Sequence, residues 1–204
     1  MTGPALVVKI GGSLLGSPRL DAVLAAIADA RRARAVIVPG GGPFADAVRE
    51  TQALMGFGDA LAHRLALDAM SAVAAILADR HPALAAAGDA GAVAARLRAG
   101  SVPVWDPREL RSGRTGIPET WDVTSDSLAA WLARELGADR LFLVKSADAP
   151  PGASLAELSA AGLVDAAFPA FAARFGGTVD VIGPSSDGRL ASLLAAGLPR
   201  SDAA

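Results

Sequence analysis

Five short apolar, largely β-branched runs recur along the chain: "ALVVKI" (5–10), "AVIVP" (35–39), "SVPVW" (101–105), "RLFLVK" (140–145) and "TVDVIG" (178–183). The first four are apolar without alternation in their interiors, so each of them asks to be buried on both faces. Ala/Leu-rich stretches of helical period separate them. Continuous strands alternating with helices imply a largely parallel sheet covered on both sides. Helices are predicted over 18–32, 43–55, 59–80, 89–98, 124–137 and 186–197, with shorter helical patterns in "SLAELSAAG" and "PAFAARFG" and a further short apolar run near 83–87. The first helix is expected to carry its basic residues in its last turn, where they suit the dipole. No repeat and no long linker divides the 204 residues, so one domain over 1–204 is expected.

The formal net charge of -2 argues against a nucleic-acid binder. There is no Cys, which excludes disulfides, thiolate metal sites and thiol nucleophiles, and no Tyr. The opening "MTGPALVVKIGG" has no basic leader, and no uninterrupted apolar stretch approaches the ~20 residues of a membrane span. A cytoplasmic protein without membrane association is therefore expected.

Of 19 Lys and Arg residues only two are lysine, Lys9 and Lys145, which leaves 17 arginines. A bias toward arginine explains the rarity but not the shared setting, since both lysines end an apolar strand run. A compact ammonium differs chemically from a rigid guanidinium fork. "KIGGSLLGS" follows Lys9 with glycines whose amides can face an anion. "VPGGGPF" repeats the arrangement as strand, three glycines and helix N-terminus, with Pro43 in the first turn. Neither cluster is a G-x-x-x-x-G-K-[ST] or G-x-G-x-x-G fingerprint. Either turn alone reads as a tight turn; two of them, one with a strand-end lysine, read as anion cradles. In "DVTSDSLAAWLA", Thr124 or Ser125 is expected to cap a helix with Asp126 in its first turn, a placement that helix electrostatics alone explains. Lys145 and Asp148 in "LFLVKSADAP" read, by themselves, as a solvated loop pair.

Taken in order, "VVKIGGSLL", "VPGGGPFADAVR", "DVTSDSLAAWLA" and "LFLVKSADAP" resemble the amino acid kinase family over nearly the whole chain. "GDALAHRLALDAM" and "LAELSAAGLVDAAFP" are most similar to its [5-(aminomethyl)furan-3-yl]methyl phosphate kinases. The resemblance implies a three-layer αβα sandwich in which ATP, with Mg²⁺, phosphorylates a small acceptor, best matched by a phosphate monoester. By match to the family motifs, Lys9 contacts the transferred phosphoryl group and Asp126 orients it. Gly11, Gly12 and Ser13 hold ATP phosphates together with Lys145 and Asp148. Gly40, Gly41 and Gly42 cradle the acceptor's phosphate, and His63 is an acceptor-site candidate; in its Ala/Leu helix it reads equally as a packed histidine. No dedicated metal ligands are implied, because phosphates and water hold Mg²⁺. A homo-oligomer, with a dimer favoured, is also implied.

Asp59 and Asp68 read as solvated or capping residues, and His81 as a helix end. Trp105 and Trp121 flank the polar stretch 106–122; they either line the acceptor pocket or anchor a loop, and anchoring is favoured. The chain departs from the family at "KSADAPPG" (145–152), where many members have a Thr-Asp-Val-Asp-Gly-type loop, and it has no lysine after Lys145. The alternatives are a kinase for uridylate, isopentenyl phosphate or a carboxylate, and a nucleotide-binding subunit without turnover.

Overall fold

The computed structural model describes residues 6–195. Six strands form one sheet: β1 (Leu6–Ile10), β2 (Ala35–Pro39), β3 (Leu84–Ala87), β4 (Val102–Trp105), β5 (Arg140–Val144) and β6 (Thr178–Ile182). Their order is β3-β4-β2-β1-β5-β6 and every pairing is parallel. Eight helices connect and cover them: α1 (Arg19–Asp29), α2 (Gly42–Met55), α3 (Asp59–Asp79), α4 (Ala90–Arg98), α5 (Ser125–Leu136), α6 (Leu155–Ala160), α7 (Phe168–Phe175) and α8 (Asp187–Ala195). This is the expected α/β fold. The expected first strand residue, Ala5, and the last helix turn to Gly197 lie outside the described residues.

All five residues of β1 are buried, as its unbroken apolar run requires. Each such Val or Leu contributes roughly 1.5–3 kcal/mol by leaving water. Strand alternation divides them between two cores. Val7, Val38, Leu141 and Leu143 pack with α5 and α7, whereas Leu6, Val8, Ile10, Phe142 and Val144 pack with α1 and α8. Lys9 therefore falls on the α5 face, with Val7. Because β1 sits between β2 and β5, the chain leaves it in opposite directions on its two sides. That switch point, at the carboxyl ends of the strands, is where this class of sheet opens a crevice.

Two boundaries differ from the sequence reading. Helix α1 stops at Asp29, and Arg31–Ala33 form a separate 3-10 turn that redirects the chain into β2. Its last turn therefore holds no basic residue. Helix α3 has 21 residues, and an 18-residue window within it has mean hydropathy 1.5, so by length and composition it could cross a membrane despite its interspersed charges. Half of that window is buried inside the fold, where Leu67 and Met70 join one core and Val73 and Leu77 the other. It is placed as a core helix.

The two tryptophans part company. Trp105 is 3% exposed and lies 6.0 Å, centroid to centroid, from Trp131. It belongs to the core and is absent from the lining of the glycine-lined cavity.

Candidate functional site

Lys9 and Lys145 occupy neighbouring strand ends on the same face of the sheet. Lys9 pairs across with Leu143, two residues before Lys145. Both ammonium groups reach one carboxylate. Lys9 Nζ lies 2.9 Å from Asp126 Oδ1, and Lys145 Nζ donates to Oδ1 at 2.8 Å and Oδ2 at 2.7 Å. The three side chains are 4%, 9% and 4% exposed for Lys9, Lys145 and Asp126 respectively. The solvated-loop reading of Lys145 is thus overturned: its strand-end position points it under α5.

Burial alone would raise the Asp126 carboxyl, but the two lysines outweigh it and hold it below the usual carboxylate range. Lys145 moves from 10.5 to about 8, first through burial and then through the Lys9 charge, with Asp126 pulling the other way. Two cations and one anion leave a net positive charge in a dry place. Such charge is strongly felt by an incoming anion.

The first turn of α5 is not capped by its own residues. Thr124 is the N-cap by position, yet its hydroxyl accepts no helix N–H. Instead it donates to Asp165 Oδ2 at 2.8 Å. The expected Thr124 or Ser125 cap is therefore corrected: a carboxylate some 40 residues away takes its place, accepting also from the N–H groups of Thr124 (2.9 Å) and Ser127 (3.0 Å). Asp165 carried no local capping signal in the sequence.

Beside the triad lies a cavity of about 420 Å³. Gly12 and Ser13 from the first glycine turn line it, with Gly40, Gly41 and Gly42 from the second. The glycines also serve a purpose the sequence did not reveal. A Cβ on Gly12 would lie 2.5 Å from the Gly42 nitrogen, and one on Gly40 would lie 2.5 Å from the Gly12 nitrogen. The two turns are locked backbone to backbone. Gly42, with φ +52, begins α2 in the left-handed region. Its helix N-terminus faces the same cavity, a favourable arrangement for an anion.

His63, Trp121, Asp46 and Arg49 also line the cavity. His63 Nδ1–H donates to the Thr120 carbonyl at 3.2 Å. Burial lowers its pKa, opposed by that carbonyl and by Glu119. Its Nε2 has no partner among the described residues and is left to the cavity. Trp121 donates from Nε1 to Gln52 Oε1 at 2.6 Å and carries the Arg49 guanidinium 4.0 Å over its ring. It both anchors the loop and lines the cavity, contrary to a choice between the two.

Other contacts place the remaining candidates and tie Ser13 to its neighbours. Gly11 is at the end of β1, donating its N–H to the Val144 carbonyl at 2.9 Å, and does not line the cavity. Ser13 Oγ donates to Ser146 Oγ at 2.9 Å, joining the loops after β1 and β5. Asp148 accepts from Ser185 N–H (3.0 Å) and Oγ (2.7 Å), so it ties the 145–152 loop to the turn after β6. Asp59 accepts from Gln52 Nε2 and Asp68 pairs with Arg111, both on the protein's outer face. His81, just beyond α3, accepts from the Ala83 N–H at 3.2 Å. No group of three His, Cys, Asp or Glu side chains able to hold a metal occurs among the described residues.

Strand-end lysines, paired glycine turns and a helix-borne carboxylate on a parallel αβα scaffold make a cationic, amide-lined site suited to an anion. Residues 4–149 match the model of the amino acid kinase family, and the chain belongs to that family. Among curated proteins it is similar to [5-(aminomethyl)furan-3-yl]methyl phosphate kinase of Methanocaldococcus jannaschii, 26% identical over 144 residues. That match covers 70% of this chain and 66% of the relative, just under two thirds of its length. The fold is similar to that of uridylate kinase from Archaeoglobus fulgidus (TM-score 0.71, 18% identity, 93% of this chain and 95% of that one). It is also similar to an isopentenyl phosphate kinase (TM-score 0.58, 16% identity, 95% and 97%).

Proposed function

We propose that the protein is an ATP-dependent kinase that phosphorylates a small phosphate monoester to a diphosphate. The observation that carries this reading is the convergence of Lys9 and Lys145 on Asp126 beside a cavity lined by both glycine turns. An acceptor phosphate held at the second glycine turn by the amides of Gly41 and Gly42, with Gly40 giving its own N–H to the Ile10 carbonyl at 2.9 Å, presents an ionised oxygen and needs no strong base. That oxygen attacks the γ-phosphorus of ATP. The bond from the γ-phosphorus to the β,γ-bridging oxygen breaks, and ADP leaves with the electron pair. Lys9 supplies a cation to the equatorial oxygens, Asp126 aims it, and Lys145 adds a second charge toward the ATP phosphates. Gly12 and Ser13 are the backbone support for those phosphates, while Gly11 keeps its N–H on the Val144 carbonyl and holds the turn to β5. Asp148 shapes the nucleotide loop through Ser185. Mg²⁺, held by phosphate oxygens and water, would neutralise the developing charge.

The named acceptors of the similar proteins support the acceptor class, since uridylate, isopentenyl phosphate and the aminomethylfuran methyl phosphate are all phosphate monoesters. The last is the best single assignment for this chain, with His63 and Trp121 lining the same cavity as the glycines. A second copy of the chain is proposed as partner, supported by the exposed apolar side chains Phe44, Leu54 and Met55 of α2 and Leu61 and Ile76 of α3.

The test is ADP release from Mg-ATP with aminomethylfuran methyl phosphate, isopentenyl phosphate, UMP and N-acetylglutamate. Turnover with the furan phosphate above the others is expected. Turnover with another phosphate monoester would keep the mechanism and discard the acceptor. Turnover with N-acetylglutamate alone would overturn the acceptor class. ATP binding without turnover on any of the four would favour a non-catalytic nucleotide-binding subunit.

A further inference from the structure

We propose that Asp165, in the turn between α6 and α7, is a positioning residue that grips the first turn of α5 and thereby fixes Asp126 between Lys9 and Lys145. The role it supports rests on the kinase reading above. The geometry is dense. Asp165 Oδ2 accepts from Thr124 N–H (2.9 Å), Thr124 Oγ1–H (2.8 Å) and Ser127 N–H (3.0 Å), and Oδ1 accepts from the Ser127 hydroxyl. One carboxylate thus takes the donors at N-cap and N3, the two positions that a local capping box would satisfy. These residues bracket Asp126 on either side.

The main chain of Asp165 completes the hold. Its N–H donates to Asp126 Oδ2 at 3.3 Å. Among the described residues the other donors to that carboxylate are the two lysines. A helix terminus frays when nothing occupies its free N–H groups. If Asp165 let go, Asp126 would ride on a loose turn, and its oxygens would drift from the two ammonium groups. Two further bonds seat Asp165 itself: Ser159 Oγ donates to its carbonyl at 3.3 Å, and Ala167 N–H donates to the Asp122 carbonyl at 2.9 Å. Gly162, three residues earlier, lines the acceptor cavity. The segment that closes that cavity therefore also sets the carboxylate of the triad.

The chain's two lysines make the test direct, because lysine labelled at Cε gives only two side-chain NMR signals. The charged groups against Lys145 are Lys9 from β1 and Asp126 from α5. In the free wild-type protein Lys145 titrates at about 8. In folded Asp165→Asn we expect that titration to fall by about one unit, the scale of losing one well-placed counter-charge. Turnover should drop by about tenfold or more, with a smaller change in the KM for ATP, as for loss of transition-state positioning. A residue that merely stabilised the fold would lower the melting temperature and leave the Lys145 signal where it was; that result in the folded variant overturns the proposal. If Asp165→Asn does not fold, Ser127→Ala, which removes one hydroxyl from the grip, should shift Lys145 in the same direction by less, and an unmoved signal there overturns the proposal equally. The titration needs neither acceptor nor turnover. A shifted Lys145 in a protein that phosphorylates nothing would uphold the grip on Asp126 and sink the kinase reading alone.

Discussion

Replacing Asp126 by Asn should expose how the two lysines are tolerated. The change keeps the shape of the side chain but leaves Lys9 and Lys145, both at most 9% exposed, facing each other without their shared anion. Removing one partner of a buried ion pair costs about 3–5 kcal/mol, because the remaining charge stays desolvated. For a domain of this size that is a drop of roughly 6–20 °C in melting temperature. The cost should depend on pH in a defined direction. Asp126 raises the affinity of Lys145 for its proton, so the variant pushes Lys145 further below about 8. At pH 6 the wild-type Lys145 is charged and benefits fully from Asp126. Once the pH has passed about 8 the wild-type lysine is itself neutral and that benefit is gone. The gap between wild type and variant should therefore be wide at pH 6 and narrower at pH 9.5; the pairing with Lys9 keeps it from closing. Thermal unfolding of both proteins at the two pH values is the assay. A variant as stable as wild type at pH 6, or a gap that widens with alkali, would refute the argument that the triad is a buried, mutually dependent charge cluster.

Lys9→Ala leaves the Lys145–Asp126 pair in place and should stay folded while turnover falls by about 10²–10³ or more, the scale of one lost charge-stabilising contact; single-turnover kinetics would measure it. The pH profile of kcat/KM should show an alkaline limb near about 8 as Lys145 of the free protein loses its charge, with the kcat limb displaced upward because bound ATP favours the ammonium; a flat kcat/KM profile from pH 7 to 9.5 would remove Lys145 from the mechanism. Lys145 also affects stability: its fall from 10.5 to about 8 means that the folded state gives up its proton first, so its cost to stability is full below about 8 and is relieved as the pH climbs to 10.5. Gly40→Ala puts a Cβ 2.5 Å from the Gly12 nitrogen and should cost ~1–3 kcal/mol by overpacking, with a larger rise in the KM for the acceptor than for ATP.

The parallel sheet was legible because its central strands β1, β2 and β5 are short and mostly apolar, and two-sided burial allows few other architectures. The two lysines stood out in the sequence by their shared strand-end setting, but that both fall on one face follows only from the β1–β5 register, which sets Lys9 opposite Leu143. What stayed hidden involved contacts between distant segments. The locking of Gly12 against Gly40 and Gly42 is invisible locally, since each turn by itself reads as a ligand cradle or a tight bend. Asp165 sits 41 residues from Thr124 and 38 from Ser127, so no capping pattern at short spacing could reveal it. Asp148 resembled a nucleotide-loop residue, and only the fold brings Ser185 to it. Trp105 and Trp121 look alike as residues flanking a polar stretch, and they separate only when β4 carries the first into the core and the second meets Gln52 at the cavity.

The most direct test of the central claim is phosphorus NMR of the product formed from Mg-ATP and aminomethylfuran methyl phosphate, with Lys9→Ala run alongside. The account predicts a new diphosphate ester whose two coupled phosphorus signals grow as ADP forms, and almost none with the variant. ADP appearing with inorganic phosphate but no diphosphate ester from this or any other phosphate monoester, or equal product from Lys9→Ala, would contradict it.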